Sequence, residues 1–171
     1  IYDPPLALYV RGKLPPVDEL AGVAVAGTRG ATPYGLRMAQ VMGYGICKCG
    51  AMVVSGLTRG IDAAAATGAV MAGGPCIGVL GSAIDGQDTY TDLARDVAAV
   101  GAVISEYAPG TPPRRSHFRE RNRITSGLAV AALVVEAPER SGALLFADEA
   151  LSQGREVFAV PANADAQNAA G

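Results

Sequence analysis

Apolar positions along this chain follow two alternating periods. Short, nearly continuous apolar runs at 22–26, 51–54, 77–80, 102–104, 129–135 and 156–160 read as strands. Between several of them lie alanine-rich stretches whose apolar residues return every three or four positions, predicting helices over 33–49, 61–71, 91–99 and 142–153 and a short one over 119–127. Residues 6–10 read as an edge strand, and 129–135 as a fully buried one. Pro33 suits a first helical turn, where its missing N–H costs nothing. Pro109, Pro112 and Pro113 instead predict an extended loop over 105–117, since each removes a donor and restricts its predecessor. From 161 the chain reads as loop, and no internal repeat is present. Strand–helix–strand repetition of this kind predicts one α/β domain, a doubly wound and mostly parallel sheet with helices on its faces.

Three glycine-bearing turns follow predicted strands and precede predicted helices, where doubly wound sheets hold ligands. The first runs Gly27-Thr28-Arg29-Gly30 to Tyr34-Gly35. Its glycines permit close backbone approach, the helix opening at Pro33 offers N–H groups, and Arg29 adds a charge, so an anion fits. In the second, Ser55-Gly56-Leu57-Thr58-Arg59-Gly60-Ile61-Asp62, Asp62 reads as a cap of the helix start before it reads as catalytic. The third, Glu136 to Ser141-Gly142, places Ser141 or Gly142 against an anion and leaves Glu136 to hold a neighbouring arginine. Together they predict a composite anion site, which no single turn would.

Charge sharpens that picture. Net charge is −2, yet five of the chain's 14 Lys and Arg residues fall within 114–123, beside the only histidine. Arg114, Arg115, Arg121, Asn122 and Arg123 there surround Phe118. Guanidinium forks match phosphates and an aromatic ring can take a base on its face, a combination suited to a nucleic-acid strand. The same residues also fit a solvated basic loop whose arginines pair with Glu106 and Glu120.

Composition excludes several classes. At 50% hydrophobic and 18% charged, the chain is not disordered, and no apolar run reaches a membrane span, so a cytoplasmic protein without membrane contact is expected. It opens without Met and ends in a polar tail, which predicts a piece of a longer protein. Cys47, Cys49 and Cys76 complete no zinc pattern and read as reduced thiols. There is neither a Gly-x-Gly-x-x-Gly fingerprint nor a Gly-Lys-Ser/Thr phosphate loop. His117 lacks a nucleophile partner, and Asp85 with Asp88 reads as a solvated loop rather than a metal pair. No catalytic residue, metal or cofactor is expected.

Beyond these readings the chain resembles the DNA-processing protein A family, DprA or Smf. The likeness rests on Gly27-Thr28-Arg29 with Tyr34-Gly35, Ser55-Gly56-Leu57 with Gly60-Ile61-Asp62, Ser105-Glu106-Tyr107, Phe118 with Arg121-Asn122-Arg123-Ile124, Ser141-Gly142, and Gly154-Arg155-Glu156 through Pro161. It implies an extended Rossmann-like, three-layer α/β/α fold and a non-enzymatic protein that binds and protects single-stranded DNA. It further implies a homodimer that loads the RecA recombinase during natural transformation. By the same resemblance the DNA pocket includes Arg29 and the surroundings of Phe118. The chain departs from the family pattern within Ala63–Ala66, in the loop 85–92, at Phe146 and at Ala162. Two rivals are a hydrolase cleaving the base from nucleoside monophosphates, whose Pro-Gly-Gly-x-Gly-Thr-x-x-Glu loop is absent at 138–142, and a small-nucleotide sensor.

Overall fold

In the computed structural model, which describes residues 1–86, 91–163 and 166–171, strands and helices alternate through most of the chain. The order is β1 (Tyr9–Gly12), β2 (Gly22–Ala26), α1 (Pro33–Lys48), β3 (Met52–Ser55), α2 (Ile61–Ala72), β4 (Cys76–Leu80) and α3 (Thr91–Val100). It continues with β5 (Ala102–Ser105), α4 (Arg115–Glu120), α5 (Asn122–Gly127), β6 (Ala131–Val134), α6 (Gly142–Ser152) and β7 (Glu156–Ala159). One seven-stranded sheet results, in the order β1-β5-β4-β3-β2-β6-β7. All pairs are parallel except β1 with β5.

Alternation along the strands assigns the helices to faces. Val25 and Val53 point to one face, where Ala39, Ile61, Ala65, Ala69 and Val97 of α1, α2 and α3 cover them. Their neighbours Ala24, Met52, Val54 and Ile77 point to the other, beneath Ile124 of α5 and Phe146 and Ala150 of α6. Both faces of the central strands are therefore dry, which is why these segments read as continuous apolar runs. The α/β class and three-layer arrangement expected from the sequence are observed.

Several boundaries differ. The first strand lies at Tyr9–Gly12 and not at 6–10, because backbone pairing with β5 places it, while Leu6 is fully exposed. Strand β6 is not fully buried: Ala131 and Leu133 are only partly covered. The loop over 105–117 ends early, since Arg115, Ser116 and His117 belong to α4. The single helix over 119–127 is two short ones, parted at Arg121, whose side chain turns inward. A 3₁₀ turn at Gln167–Ala169 interrupts the loop expected after 161. Asp88 lies outside the described residues. No helix among the described residues is long and apolar enough to cross a membrane.

Candidate nucleic-acid interface

After β2 the chain turns to α1 on one face, and after its neighbour β6 it turns to α6 on the other. Parallel strands whose connections diverge leave a crevice at their carboxyl ends. A cavity of about 470 Å³ opens there, lined by Gly27, Thr28 and Arg29 of the first turn and Gly56 and Thr58 of the second. Arg115, Phe118 and Arg119 of α4, Arg121 at the break and Asn122 of α5 form another wall, with Ser141, Gly142 and Phe146 also lining it.

The amino end of α1 does not face this cavity as an open anion site. Thr32 caps it, its Oγ1 accepting from Gly35 N at 3.1 Å, and the Glu136 carboxylate accepts from Thr32 N at 2.9 Å and from the Thr32 hydroxyl. Parallel pairing of Ala26 with Val134 brings residue 136 alongside the first turn, and Thr28 N donates to Glu136 O at 2.8 Å. Glu136 is thus a buried cap of α1 and not an arginine's partner, and the protein's own carboxylate answers the positive end of that helix. The amino end of α6 is different. Gly142 faces open space, and Ser141 Oγ has no partner among the described residues.

Below the second turn lies a buried pair. Asp62 accepts from Thr58 Oγ1 at 2.9 Å, and the backbone N–H groups of Thr58 and Gly27 lie near enough to favour its charged form, so it sits where two turns meet. It does not cap its own helix, whose start at Gly60 has no side-chain cap. Burial raises its pKa despite the pull of Arg121. Arg121, equally buried, has its pKa lowered by desolvation and donates from Nη1 to Val79 O at 3.0 Å. Its Nε has no partner among the described residues.

Phe118 is aimed by its neighbours. The His117 ring stacks on Tyr107 with centroids 4.0 Å apart, and Tyr107 OH donates to Glu120 Oε2 at 3.0 Å, fastening α4 to the end of β5. His117 is therefore a buried anchor rather than the end of an extended loop. On the inner side, a Cβ at Gly81 would lie 2.8 Å from Phe118 Cδ1, so only glycine lets the ring settle at the end of β4. The Arg29 guanidinium lies over the ring, 5.0 Å from its centroid.

Of the residues expected at the site, Gly27, Thr28, Arg29, Gly56, Arg115, Phe118, Arg121, Asn122, Ser141 and Gly142 line this cavity. Arg59 and Gly60 line an adjoining groove that shares Arg29. Ser55 is fully buried, donating to Asp62 O at 2.9 Å and accepting from Leu57 N at 3.2 Å, so it shapes the turn from beneath. Arg123 faces the other way: it donates to Asp3 at 2.9 Å and to Glu106 at 2.7 Å, the Glu106 hydrogen bond raising its pKa. Arg114 lines neither space and is exposed. Arg119, Thr125 and Leu145 also line the cavity. Arg119 was recognisable from the basic cluster, whereas Thr125 and Leu145 carry no sequence signal that separates them from core.

A doubly wound fold with a crevice at its switch point lined by arginines and an aromatic ring defines a Rossmann-like α/β protein. The profile of the DNA recombination-mediator protein A family matches residues 1–171, and the chain belongs to that family. It is 39% identical over 165 residues to "DNA processing protein DprA" of Bacillus subtilis, covering 94% of this chain and 55% of that protein. It is 40% identical over 162 residues to "Protein Smf" of Escherichia coli, covering 93% and 43%. The chain thus spans about half the length of these relatives. Among solved structures it is similar to DNA processing protein A of Streptococcus pneumoniae, with TM-score 0.91 and 35% identity over 98% of this chain and 59% of that one. DNA processing protein A of Helicobacter pylori, described by its unique single-stranded DNA binding mode, matches with TM-score 0.89 and 26% identity over 99% and 79%.

Proposed function

We propose that this chain binds single-stranded DNA in the cavity between Arg29, Phe118 and Ser141. The observation that carries the reading is the Arg29 guanidinium over the Phe118 ring at the cavity wall, 5.0 Å from its centroid. A cation over an exposed ring contributes about 0.5–1 kcal/mol, whereas base stacking on an aromatic contributes about 1–3 kcal/mol and a charged guanidinium–phosphate pair adds to it. An incoming nucleotide therefore wins the exchange: its phosphate takes Arg29 and its base takes the vacated ring face. Ser141 and Arg121 also line the cavity, and Ser141 Oγ and Arg121 Nε lie buried there without partners among the described residues. Of the longer protein we propose protection of incoming DNA and loading of a RecA-type recombinase during natural transformation, by a homodimer in the cytoplasm.

Fluorescence anisotropy with oligothymidylate and a blunt duplex at matched salt tests the DNA reading. The single strand should bind more tightly, Phe118→Ala should cost about 1–3 kcal/mol, and Arg29→Ala should flatten the slope of log affinity against log salt by roughly 0.7. Equal affinity for duplex and single strand overturns it.

A further inference from the structure

We propose that the open groove between the amino-terminal halves of α1 and α2 carries the phosphates next to the one held at Arg29, so that a bound strand leaves the Phe118 cavity and runs between the two helices. This extends the single-stranded DNA reading and rests on it.

The groove encloses about 590 Å³, and Arg29 lines both it and the Phe118 cavity. Its other polar walls are Arg37 and Gln40 on α1 and Arg59 and Thr67 on the α2 side. Among the described residues no carboxylate lines it and none of its three arginines pairs with an acidic group. In a chain of net charge −2, this convergence of unpaired guanidinium groups makes a local field for a polyanion.

Packing holds the three together. A Cβ at Gly60 would lie 2.8 Å from Arg29 Cα, so the second turn rests directly on the first. One turn further along the helices, Gly43 meets the Ala65 carbonyl and Gly68 the Gln40 carbonyl at distances that leave no room for a side chain, which fixes Arg37 opposite Ala63 and Ala64. The floor is small and smooth. Among the described residues it holds no aromatic ring, so a base finds nothing there to stack on, while guanidinium forks suit phosphate oxygens. The two spaces divide the work: the cavity takes a base, and the groove takes backbone irrespective of sequence.

Arg37 and Arg59 are exposed and pair with no acidic group among the described residues, so the double variant Arg37→Ala/Arg59→Ala should keep the parent's melting temperature. Its binding is compared with that of the parent chain on oligothymidylates of about three and about twelve nucleotides. On the long strand the variant should bind more weakly, with a salt slope flatter by about 1.4, twice the single-strand increment per phosphate. On the short strand, which fills only the cavity, affinity should match the parent, while Phe118→Ala should weaken both. Parental affinity and slope on the long strand overturn the groove path. So does equal weakening on both lengths, which would place the two arginines at the cavity itself. Should Phe118→Ala leave both strands unaffected, the cavity reading fails first and the groove path with it.

Discussion

Glu136 shows how one residue redirects a site. A glycine turn opening a helix invites an anion at the helix end, but Glu136 already supplies the negative charge there, and Gly35 is glycine because any Cβ would strike that carboxylate. On the proposed reading, anion capture passes to guanidinium groups and to the start of α6, where Ser141 makes no side-chain cap. Phe118 depends in turn on Gly81. Gly81→Ala places a methyl 2.8 Å from the ring and 3.1 Å from Phe118 Cα, so the half-buried ring must swing away while α4 gives by a few tenths of an ångström, without unfolding the chain. We expect the melting temperature to change little and oligothymidylate affinity to fall by up to the cost of Phe118→Ala, about 1–3 kcal/mol. Unchanged affinity would mean that the ring's position is immaterial to binding.

Among the elements, the contact of α1 with α2 is decisive, because it sets both the core on that face and the groove above it. Two glycines of α1 make a matched comparison. Gly43 abuts the Ala65 carbonyl, whereas Gly45 has nothing within 4 Å of an added Cβ. Gly43→Ala should destabilise the fold by about 1–3 kcal/mol through overpacking, lowering the melting temperature by roughly 2–4 °C per kcal/mol in a chain of this size. Gly45→Ala should stabilise it by up to about 1 kcal/mol, since alanine is the better helix former. Calorimetry on the two variants reads both signs; equal effects would show that helix propensity and not close packing governs α1.

At the scale of the whole molecule the sheet ends in two edges. One is β1, and the other is β7, where Glu156, Phe158 and Ala159 are exposed and Phe158 retains 55% of its accessible surface. An apolar edge strand of this kind is a surface that another chain can cover. The homodimer proposed above predicts a sedimenting species of twice the monomer mass at micromolar concentration and its loss in Phe158→Asp. A monomer at all concentrations would count against self-association of this chain.

How much was legible follows from the range of the forces involved. Apolar periodicity, Pro33 and the glycine turns are local signals, and they determined the α/β class, the order of elements and the bounds of α1, α2 and α3 to within a residue or two. Identity of the site's charged and aromatic residues was also local, since Arg29, Phe118 and the cluster around it stand out in an otherwise weakly acidic chain. Tertiary structure alone decided their partners. Arg123 lies within the same cluster as Phe118 yet turns to Asp3, 120 residues away, and Arg121 is drawn inward to Val79 and Asp62. Glu136 reaches Thr32 across 104 residues because β2 and β6 pair in parallel, and Arg37, unremarkable on its own helix, comes to line one groove with Arg29 and Arg59 because α1 and α2 touch at glycine. Residue type and spacing set what a side chain can do, but which charge it meets depends on contacts between distant segments that periodicity does not encode.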